Sequence, residues 1–400
     1  MNQTVALTDV EKTRGTALPI LLGLSFSHLL NDMNQSLLAA IYPTVKASMG
    51  LTFTEIGFVT LAYQAVASML QPIVGLATDR KPHPTSLSAA MMFTLTGLLL
   101  LSVASSYPLL VGASMLVGVG SSIFHPESSR IARLASGGRH GLAQSLFQVG
   151  GNAGSALGPL LAAFIVGARG QGAIAWFAIG PAVASMVLWR IGQWAATHGL
   201  AARRHHAAPA ASLGRRKTML ALAVLLTLIF SKHVYLASLS SYYTFYLIHT
   251  FQLSVQQAQF CLFVFLAAVA IGTIAGGPIG DRFGRKHVIW FSILGVLPFT
   301  LLLPWVGLVP TVLLSVVIGL VLSSAFSAIV VFGQELMPHR VGAIAGLFFG
   351  LAFGFGGLGA AGLGWLADRQ GIDFVYRVCG FLPLLGLLAA LLPDLRKHEA

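Results

Sequence analysis

Charged residues are scarce in this chain of 400 residues, in which Lys and Arg number 24 and Asp and Glu only 12. Together they make up 9% of the sequence, whereas apolar residues make up 56%. Soluble proteins carry about a quarter charged residues, so this chain has too little polar surface to coat a water-facing globule. The same apolar content excludes intrinsic disorder, because disordered segments are polar and highly charged.

Cysteine is almost absent as well. Cys261 and Cys379 lie far apart in apolar stretches, which excludes a disulfide framework and any site built from paired thiols. There is no phosphate-binding Walker loop, so ATP is not expected to be the direct energy source. A nucleophile elbow and Cys/His metal spacings are also missing, and we therefore expect no enzyme and no bound metal or cofactor.

Long apolar runs dominate the sequence instead. A helix needs about 20 apolar residues to cross a bilayer core of about 30 Å, and backbone groups in lipid must be satisfied within a helix or a closed barrel. The runs lack the period of two that is typical of barrel strands. They predict twelve membrane-spanning helices, at residues 18–42, 54–78, 85–105, 109–132, 141–167, 173–195, 218–247, 255–279, 287–307, 310–334, 341–367 and 374–392.

The basic residues predict how these spans are organised. The longest polar stretch, 196–217, is interpreted as a basic cytoplasmic linker between two six-helix bundles, 1–195 and 218–400. With the amino terminus inside, 18 Lys and Arg residues face the cytoplasm. Four face the opposite side: Lys46, Arg169, Arg369 and Arg377. The net charge of +12 therefore indicates topology, with both termini cytoplasmic, and not nucleic-acid binding.

A sequence pattern recurs at an offset of 202 residues. The motif Gly75-x-x-x-Asp79-Arg80 returns as Gly277-x-x-x-Asp281-Arg282, and the helix-capping box Thr52-x-x-Glu55 returns as Ser254-x-x-Gln257. A further match, Phe124-x-x-Glu127 with Phe332-x-x-Glu335, has an offset of 208. Two parallel six-helix repeats are typical of one class of secondary transporter, whose binding site lies at the interface of the repeats.

The segment Gly277-Pro-Ile-Gly-Asp281-Arg282-Phe-Gly284-Arg285-Lys286 resembles the loop signature of the major facilitator superfamily. The first copy keeps the Gly, Asp, Arg and Lys but has Pro-His-Pro in place of the later glycine. The resemblance implies an all-α membrane protein with twelve transmembrane helices in two parallel six-helix repeats. It also implies that the signature residues take part in conformational gating: Gly75, Asp79, Arg80, Gly277, Asp281, Arg282 and Arg285.

The fifth span carries Gly150, Gly154 and Gly158-Pro159. This spacing is similar to the antiporter motif of the same superfamily, which favours export over uptake. The glycines that follow the proline in that motif are absent here. Ordinary close packing of helices through glycines is the alternative interpretation.

Three shorter sequence segments indicate a particular subfamily. His28-Leu-Leu-Asn31-Asp32, Phe124-His125-Pro126-Glu127 and Gln148-Val-Gly-Gly-Asn152 resemble the bacterial fosmidomycin resistance proteins. That family implies a proton-coupled antiporter of the bacterial inner membrane, which exports fosmidomycin or a similar anionic or amphipathic drug. We expect the protein to act as a monomer. Its partners would be protons, lipid and the small-molecule substrate. The alternative is a proton-coupled importer or exchanger of a natural organic anion, such as a sugar phosphate.

Two charged residues deep in predicted spans are candidates for the transport site. Asp32 and Lys232 both lie about 21 Å from the cytoplasmic edge of their spans, at a rise of about 1.5 Å per residue. A structural ion pair between the two halves is one interpretation. In the other, Asp32 carries a proton, because a carboxyl removed from water favours its neutral form, and Lys232, with His233, attracts an anionic substrate.

Three further residues are candidates for proton coupling. His28 lies one helical turn before Asp32, and histidine is the side chain type that most readily exchanges a proton under physiological conditions. It is therefore predicted either to relay protons or to be held by a structural hydrogen bond. His125 and Glu127 flank Pro126 in the fourth span. A local salt bridge between Glu127 and Arg130 is the structural alternative to a second proton site there.

Polar side chains on other spans are candidates for lining the substrate cavity. They are predicted from polar faces on helices two, five and seven: Gln64, Gln148, Asn152, Tyr235 and Tyr242. The alternatives are that the tyrosines belong to an interfacial aromatic belt and that the amides join helices to one another.

Overall fold

A computed structural model of the chain describes residues 15–41, 45, 48–51, 53–205 and 214–395. Within these residues the regular structure is helical, with no strand. The long helices of the amino-terminal half are α1 (Leu18–Ala40), α2 (Phe53–Arg80), α3 (Ser86–Val103), α4 (Tyr107–Leu134), α5 (His140–Arg169) and α6 (Ile179–His205). A 3₁₀ helix, Gln171–Ala178, leads into α6.

The carboxy-terminal half is more broken than the sequence predicts. Its helices are α7 (Arg215–Phe251), α8 (Val255–Phe283), α9 (Arg285–Leu294), α10 (Leu297–Leu302), α11 (Leu308–Ser323), α12 (Ala325–Leu336), α13 (Val341–Gln370) and α14 (Ile372–Cys379). The ninth predicted span becomes α9, α10 and the 3₁₀ turn Leu303–Trp305, and α14 continues as the 3₁₀ helix Leu382–Leu391. Proline near the start of α10 and of both 3₁₀ segments explains the breaks, because it removes a backbone donor.

Eleven helical stretches of the described residues are long and apolar enough to cross a membrane. Helix α1, with 23 residues, is long enough to be a twelfth membrane-spanning helix but is less apolar than the other eleven. It carries five buried polar side chains: Ser27, His28, Asn31, Asp32 and Asn34. Large apolar side chains such as Phe164, Met69 and Leu358 are exposed, as they are on a surface that faces lipid. The all-α membrane fold is confirmed.

The chain divides into two compact units. The first contains Met1–Pro209 with Met337–Gly350, and the second contains Ala210–Leu336 with Leu351–Ala400. Helix α13 therefore contributes its start, up to Gly350, to the first unit and its remainder to the second. Parts of the predicted linker at 196–217 are helical, because α6 continues to His205 and α7 begins at Arg215. Residues 206–213 lie outside the described residues, so the linker itself stays a prediction.

One of the two predicted capping boxes is confirmed at the start of α8. The Ser254 hydroxyl accepts a hydrogen bond from the backbone N–H of Gln257, and the Gln257 side chain accepts one from the Ser254 N–H. The other box begins at Thr52, which lies outside the described residues, as does Lys46.

Three of the four basic residues that were predicted to face the outside lie over tryptophan rings. The guanidinium carbons of Arg169, Arg369 and Arg377 are 5.2, 4.2 and 4.6 Å from the ring centroids of exposed tryptophans. Tryptophan is enriched at membrane–water interfaces, and a cation over its ring is stabilised electrostatically.

Within the first unit, α1 packs backbone to backbone against α5 through the glycines of the fifth span. A Cβ added at Gly150 would overlap the backbone of Ser25 on α1, and one at Gly154 would overlap the backbone of Leu29. A Cβ at Gly158 would overlap the Ser36 hydroxyl and the Met33 carbonyl. The glycines therefore let two helices approach closely, as the packing interpretation expects. Whether they also indicate antiport stays a prediction.

We expect Gly150→Ala to destabilise the protein by about 1–3 kcal/mol, because the new methyl group forces α1 away from α5. Gly356→Ala is the matched control, since a Cβ at that position in α13 meets no atom within 4 Å. It should leave stability unchanged or raise it, as Ala favours helix over Gly. Thermal unfolding of the purified variants in detergent measures both effects, and equal stability of the two variants would contradict the packing role.

Candidate functional site

A buried cluster of one carboxylate and two imidazoles lies between α1 and α4. The Nε2 atom of His28 is 3.2 Å from Oδ2 of Asp32, one turn away on the same helix. The Nε2 atom of His125, on α4, is 3.4 Å from Oδ1 of the same carboxylate. His28 and His125 are fully buried and Asp32 is 6% exposed. The cluster brings together three of the four residues predicted to couple protons.

Backbone carbonyls set the orientation of both imidazoles. The Nδ1 atom of His28 lies 2.7 Å from the carbonyl oxygen of Phe147, and that of His125 lies 3.0 Å from the carbonyl oxygen of Ser121. A carbonyl oxygen only accepts, so Nδ1 makes these hydrogen bonds only when it carries a proton. Nδ1 of His125 also lies 3.3 Å from the Ser121 hydroxyl, which can donate to it in the other tautomer. A neutral imidazole carries one ring proton, so His28 can donate either to the Phe147 carbonyl or to Asp32, and it donates to both only when it is protonated.

Side chains that the sequence analysis did not select complete the surroundings of Asp32. The side-chain amides of Asn31 and Gln35 each donate to Oδ1 of Asp32 at 2.9 Å. Tyr63, on α2, donates in turn to the Gln35 side chain. Asn31 and Gln35 could have been selected from the sequence, because they are polar residues in the same apolar span as Asp32.

Glycine also makes room for the cluster. A Cβ at Gly151 of α5 would overlap the His28 ring and lie 2.7 Å from Oδ2 of Asp32. The position beside the antiporter-like glycines is thus occupied by the two titratable side chains of α1. Any larger residue there would displace the carboxylate or the imidazole.

Phenylalanine rings cover the two histidines. The ring of Phe147 stacks on His28 with centroids 4.1 Å apart, and Phe124 lies 5.5 Å from each imidazole. Phe349, at the start of α13, lies 5.2 Å from His125. These rings bury both imidazoles completely, so a charge on either one is stabilised mainly by neighbouring groups of the cluster.

Glu127, the fourth residue predicted to couple protons, makes the local salt bridge that was its structural alternative. The Arg130 guanidinium donates through Nε to one carboxylate oxygen at 2.9 Å and through a second nitrogen to the other oxygen. Such a bidentate pair favours the ionised carboxylate. The role of Glu127 in proton transfer stays a prediction.

In the second unit, Lys232 of α7 is buried without an acidic partner among the described residues. Its ammonium lies 5.0 Å from the centroid of the Phe326 ring on α12, and the His233 ring meets the edge of the same phenylalanine at 5.2 Å. Nδ1 of His233 donates to the Ile229 carbonyl at 2.9 Å. A buried cation that only an aromatic face balances favours an anionic ligand.

A phenylalanine ring contacts the titratable groups at each of these two sites. Phe124 lies beside His28 and His125 in the first unit, and Phe326 lies beside Lys232 and His233 in the second.

The tyrosines predicted to line a cavity make packing contacts within the second unit. Tyr235 is buried, and Tyr242 is half-buried and donates to the Ala360 carbonyl at 2.6 Å. In the first unit, Gln64, Gln148 and Asn152 are half-buried, and the buried Oε1 of Gln148 has no hydrogen-bond partner among the described residues. Their roles in substrate binding stay predictions.

The first copy of the loop signature holds the start of α13. The two carboxylate oxygens of Asp79 accept hydrogen bonds from the backbone N–H groups of Gly342 and Ala343, both at 2.9 Å. These N–H groups lie in the first turn of α13, where no intrahelical acceptor exists. A Cβ at Gly75 would overlap the Gly342 carbonyl, so the glycine permits this approach. Arg80 is exposed.

The second copy makes different contacts. Asp281 pairs with Arg285 at 2.9 Å, and the same guanidinium lies 3.1 Å from Glu335. Arg282 is exposed and lies 5.4 Å from the Phe283 ring, and Gly277 is buried in α8. The two copies of one motif thus join helices in one half by helix capping and in the other by an ion-pair network.

Comparison with known proteins identifies the family. A sequence model of the Major Facilitator Superfamily matches residues 24–361 and, in an overlapping match, residues 236–400. The chain belongs to the major facilitator superfamily. It is therefore a multi-pass membrane transporter and not an enzyme, as the sequence predicts.

Two similar proteins indicate which branch of the superfamily the chain resembles. The chain is 57% identical over 395 residues to the fosmidomycin resistance protein of Escherichia coli (strain K12), with 98% of this chain and 97% of that protein covered. It is 41% identical over 392 residues to the uncharacterized MFS-type transporter YfnC of Bacillus subtilis (strain 168), with 97% and 96% covered. The resemblance to fosmidomycin resistance proteins is confirmed.

A solved structure shares the fold of this transporter at low sequence identity. The crystal structure of the E. coli fucose:proton symporter FucP (N162A) has a TM-score of 0.72 with this chain at 12% identity. The match covers 95% of this chain and 100% of that chain. At this identity the likeness shows the fold alone.

The donor atoms of the three groups lie within 4.8 Å of one another. This spacing is compatible with a metal site as well as with a hydrogen-bonded cluster. The expected absence of a metal therefore stays a prediction.

Replacing Asp79 by Ala should loosen the first turn of α13, because two backbone N–H groups lose their acceptor. The loss of a helix cap costs about 0.5–2 kcal/mol, so we expect amide hydrogen exchange in the peptide containing Gly342 and Ala343 to accelerate several-fold. Asp368→Ala, at an exposed position further along α13, is the control. Unchanged exchange in the Asp79 variant would show that the cap does not hold the helix.

Proposed function

We propose that the protein is a proton-coupled antiporter of the bacterial inner membrane, which exports fosmidomycin or a similar anionic drug. The relative with 57% identity carries resistance to this compound in its name, and that compound is a phosphonate. Resistance through a membrane transporter requires outward movement of the drug. An exporter of an anion needs a driving ion and a binding group for negative charge, and the two buried sites supply candidates for both.

The observation that carries the proposal is the proton balance of the His28–Asp32–His125 cluster. When His28 is neutral, its single ring proton can serve either the Phe147 carbonyl or the Asp32 carboxylate, and the other buried contact is left without a hydrogen bond. One bound proton satisfies both contacts. Leaving a buried polar contact unsatisfied costs about 1–3 kcal/mol, so the cluster favours proton uptake. A group that binds protons in the bilayer and must release them is what proton coupling requires.

Lys232 supplies the candidate site for the anion. Its ammonium is buried against the Phe326 ring and lacks an acidic partner among the described residues, so a phosphonate oxygen would complete its coordination. His233 is the neighbouring candidate. Placing the proton site and the anion site in different units allows one to be occupied while the other is emptied, as exchange requires.

The Asp79 cap is proposed to take part in gating. It joins the loop signature to α13, the helix whose two parts belong to different units. In this proposal the start of α13 moves relative to α2 during gating, and such a movement breaks or remakes two hydrogen bonds. Each proton that enters along a membrane potential of 100 mV supplies about 2.3 kcal/mol, which exceeds the cost of losing this cap.

Asp32→Asn should abolish drug export driven by a pH gradient, because the amide cannot release or bind a proton and yet preserves the size of the side chain. The measurement is fosmidomycin accumulation in inverted membrane vesicles with an acidic lumen. Asp368→Asn, the same substitution at an exposed position, should retain full transport.

Full gradient-driven accumulation by the Asp32 variant would defeat the assignment of the proton site. Accumulation of a sugar phosphate but not of fosmidomycin would instead favour the exchanger of natural organic anions. A protonophore should abolish transport by the unmodified protein.

Lys232→Gln should weaken fosmidomycin binding at least tenfold, because the buried cation no longer neutralises the phosphonate, while proton uptake by the first unit persists. Isothermal titration of the purified protein measures the affinity. Lys217→Gln, at an exposed position at the start of α7, is the control and should bind normally. Wild-type affinity in the Lys232 variant would place the anion elsewhere.

A further inference from the structure

Phe349 reaches the proton-binding cluster from a helix outside it. Its ring centroid lies 5.2 Å from that of His125, and it meets Phe147 edge-on at 6.1 Å. Phe147 in turn stacks on His28. Phe349 is 1% exposed. Phe349 thus links α13 to the imidazole on α4 and to the phenyl ring that stacks on the other imidazole.

The position of Phe349 depends on how α13 packs against α2. Gly342, Gly346 and Gly350 lie four residues apart on one face of α13, and a Cβ on any of them would approach α2 at Asp79, Gln71 or Ser68. The carbonyls of Gln71 and Ser68 are the nearest atoms to the last two positions. With the Asp79 cap at its start, this stretch of α13 is held closely enough to fix the phenyl ring against His125.

A phenyl ring distinguishes the two protonation states of an imidazole. The negative face of the ring attracts an imidazolium cation more strongly than a neutral imidazole. A nearby ring therefore raises the proton affinity of the cluster, and its withdrawal lowers that affinity. By reciprocity, a bound proton holds the ring, and with it the start of α13, in place by the same free energy.

We propose that Phe349 is a positioning residue that couples the proton occupancy of the His28–Asp32–His125 cluster to the position of α13. This inference rests on the proposed proton coupling and adds the element that senses it. Proton release weakens the contact of His125 with Phe349, which frees the start of α13 to leave α2. Movement of α13 away from α2 favours proton release in turn.

Few other titratable groups surround His125 in the described part of the chain. From α1 it faces His28 and Asp32, and on α4 itself the next charged groups are the paired Glu127 and Arg130. Tyr63 of α2 acts on Asp32 only through Gln35. The stretch of α13 around Phe349 carries no titratable residue, since Gly342 to Gly350 are all apolar. An effect of Phe349 on proton binding would therefore come from its ring.

The experiment titrates the cluster directly. Infrared difference spectra of the purified protein, recorded from low to high pH, report the protonated carboxyl and imidazole bands, and Asp32→Asn identifies the carboxyl signal. Phe349→Leu should weaken proton binding about fivefold to tenfold, which moves the midpoint down by about 0.7–1 pH unit. Phe348→Leu is the matched control, because Phe348 is equally buried and makes no ring contact with either histidine in the described residues, and its midpoint should not move.

A series of fluorinated phenylalanines at position 349 separates the electrostatic effect of the ring from the effect of its shape. Mono-, di- and trifluorophenylalanine at position 349 keep the ring but progressively weaken its negative face, so the midpoint should fall stepwise with each fluorine. The pH profile of fosmidomycin transport in vesicles should shift in parallel. This series also applies if the leucine variant fails to fold.

The outcomes separate the two proposals. If the unmodified protein shows no titrating Asp32 signal and its transport ignores the pH gradient, the proposed function fails. If the unmodified protein titrates and transports but the fluorinated series leaves its midpoint unchanged, the function stands and the coupling role of Phe349 is overturned. A shift that occurs equally in the Phe348 variant would also overturn it, since the effect would then be general repacking.

Discussion

A carboxylate buried between two imidazoles is the interaction on which this structure depends. The Nδ1 atoms lie against the carbonyls of Phe147 and Ser121, and the Nε2 atoms face Asp32. Burial of an ion costs several kcal/mol unless its partners compensate for lost water. The amides of Asn31 and Gln35 supply part of this compensation at Oδ1, and a proton between His28 and Oδ2 would add to it.

The packing of the surrounding helices fixes the positions of Asp32, His28 and His125. Gly150, Gly154 and Gly158 bring α5 against α1, Gly151 leaves space for the carboxylate, and phenylalanine rings bury both imidazoles. The helices therefore carry the polar cluster on close backbone contacts and not on large interlocking side chains. This is how membrane helices associate when lipid removes the hydrophobic driving force between them.

The two halves have diverged in chemistry while keeping their framework. Phe124 lies beside imidazoles and an acid in one half, and Phe326 lies beside Lys232 in the other. Likewise, Asp79 caps a helix, whereas Asp281 joins an ion-pair network with Arg285. Duplication explains the common framework, and opposite charge in the two halves fits a transporter that binds a proton and an anion.

The sequence by itself determined the class of the molecule, because apolar run length, the distribution of Lys and Arg and the 202-residue repeat follow directly from what a bilayer permits. It also selected Asp32, His28 and Lys232 as candidates, since charge in an apolar span is conspicuous, and the structure shows that all three are buried. Only the tertiary structure showed that His125 completes the Asp32 site, that Tyr63 and Gln35 support it and that Phe349 reaches it from α13. Those contacts join residues far apart in the chain, and their distances depend on helix rotation and approach. A sequence pattern records which face of a helix is polar, but not which neighbouring helix that face meets.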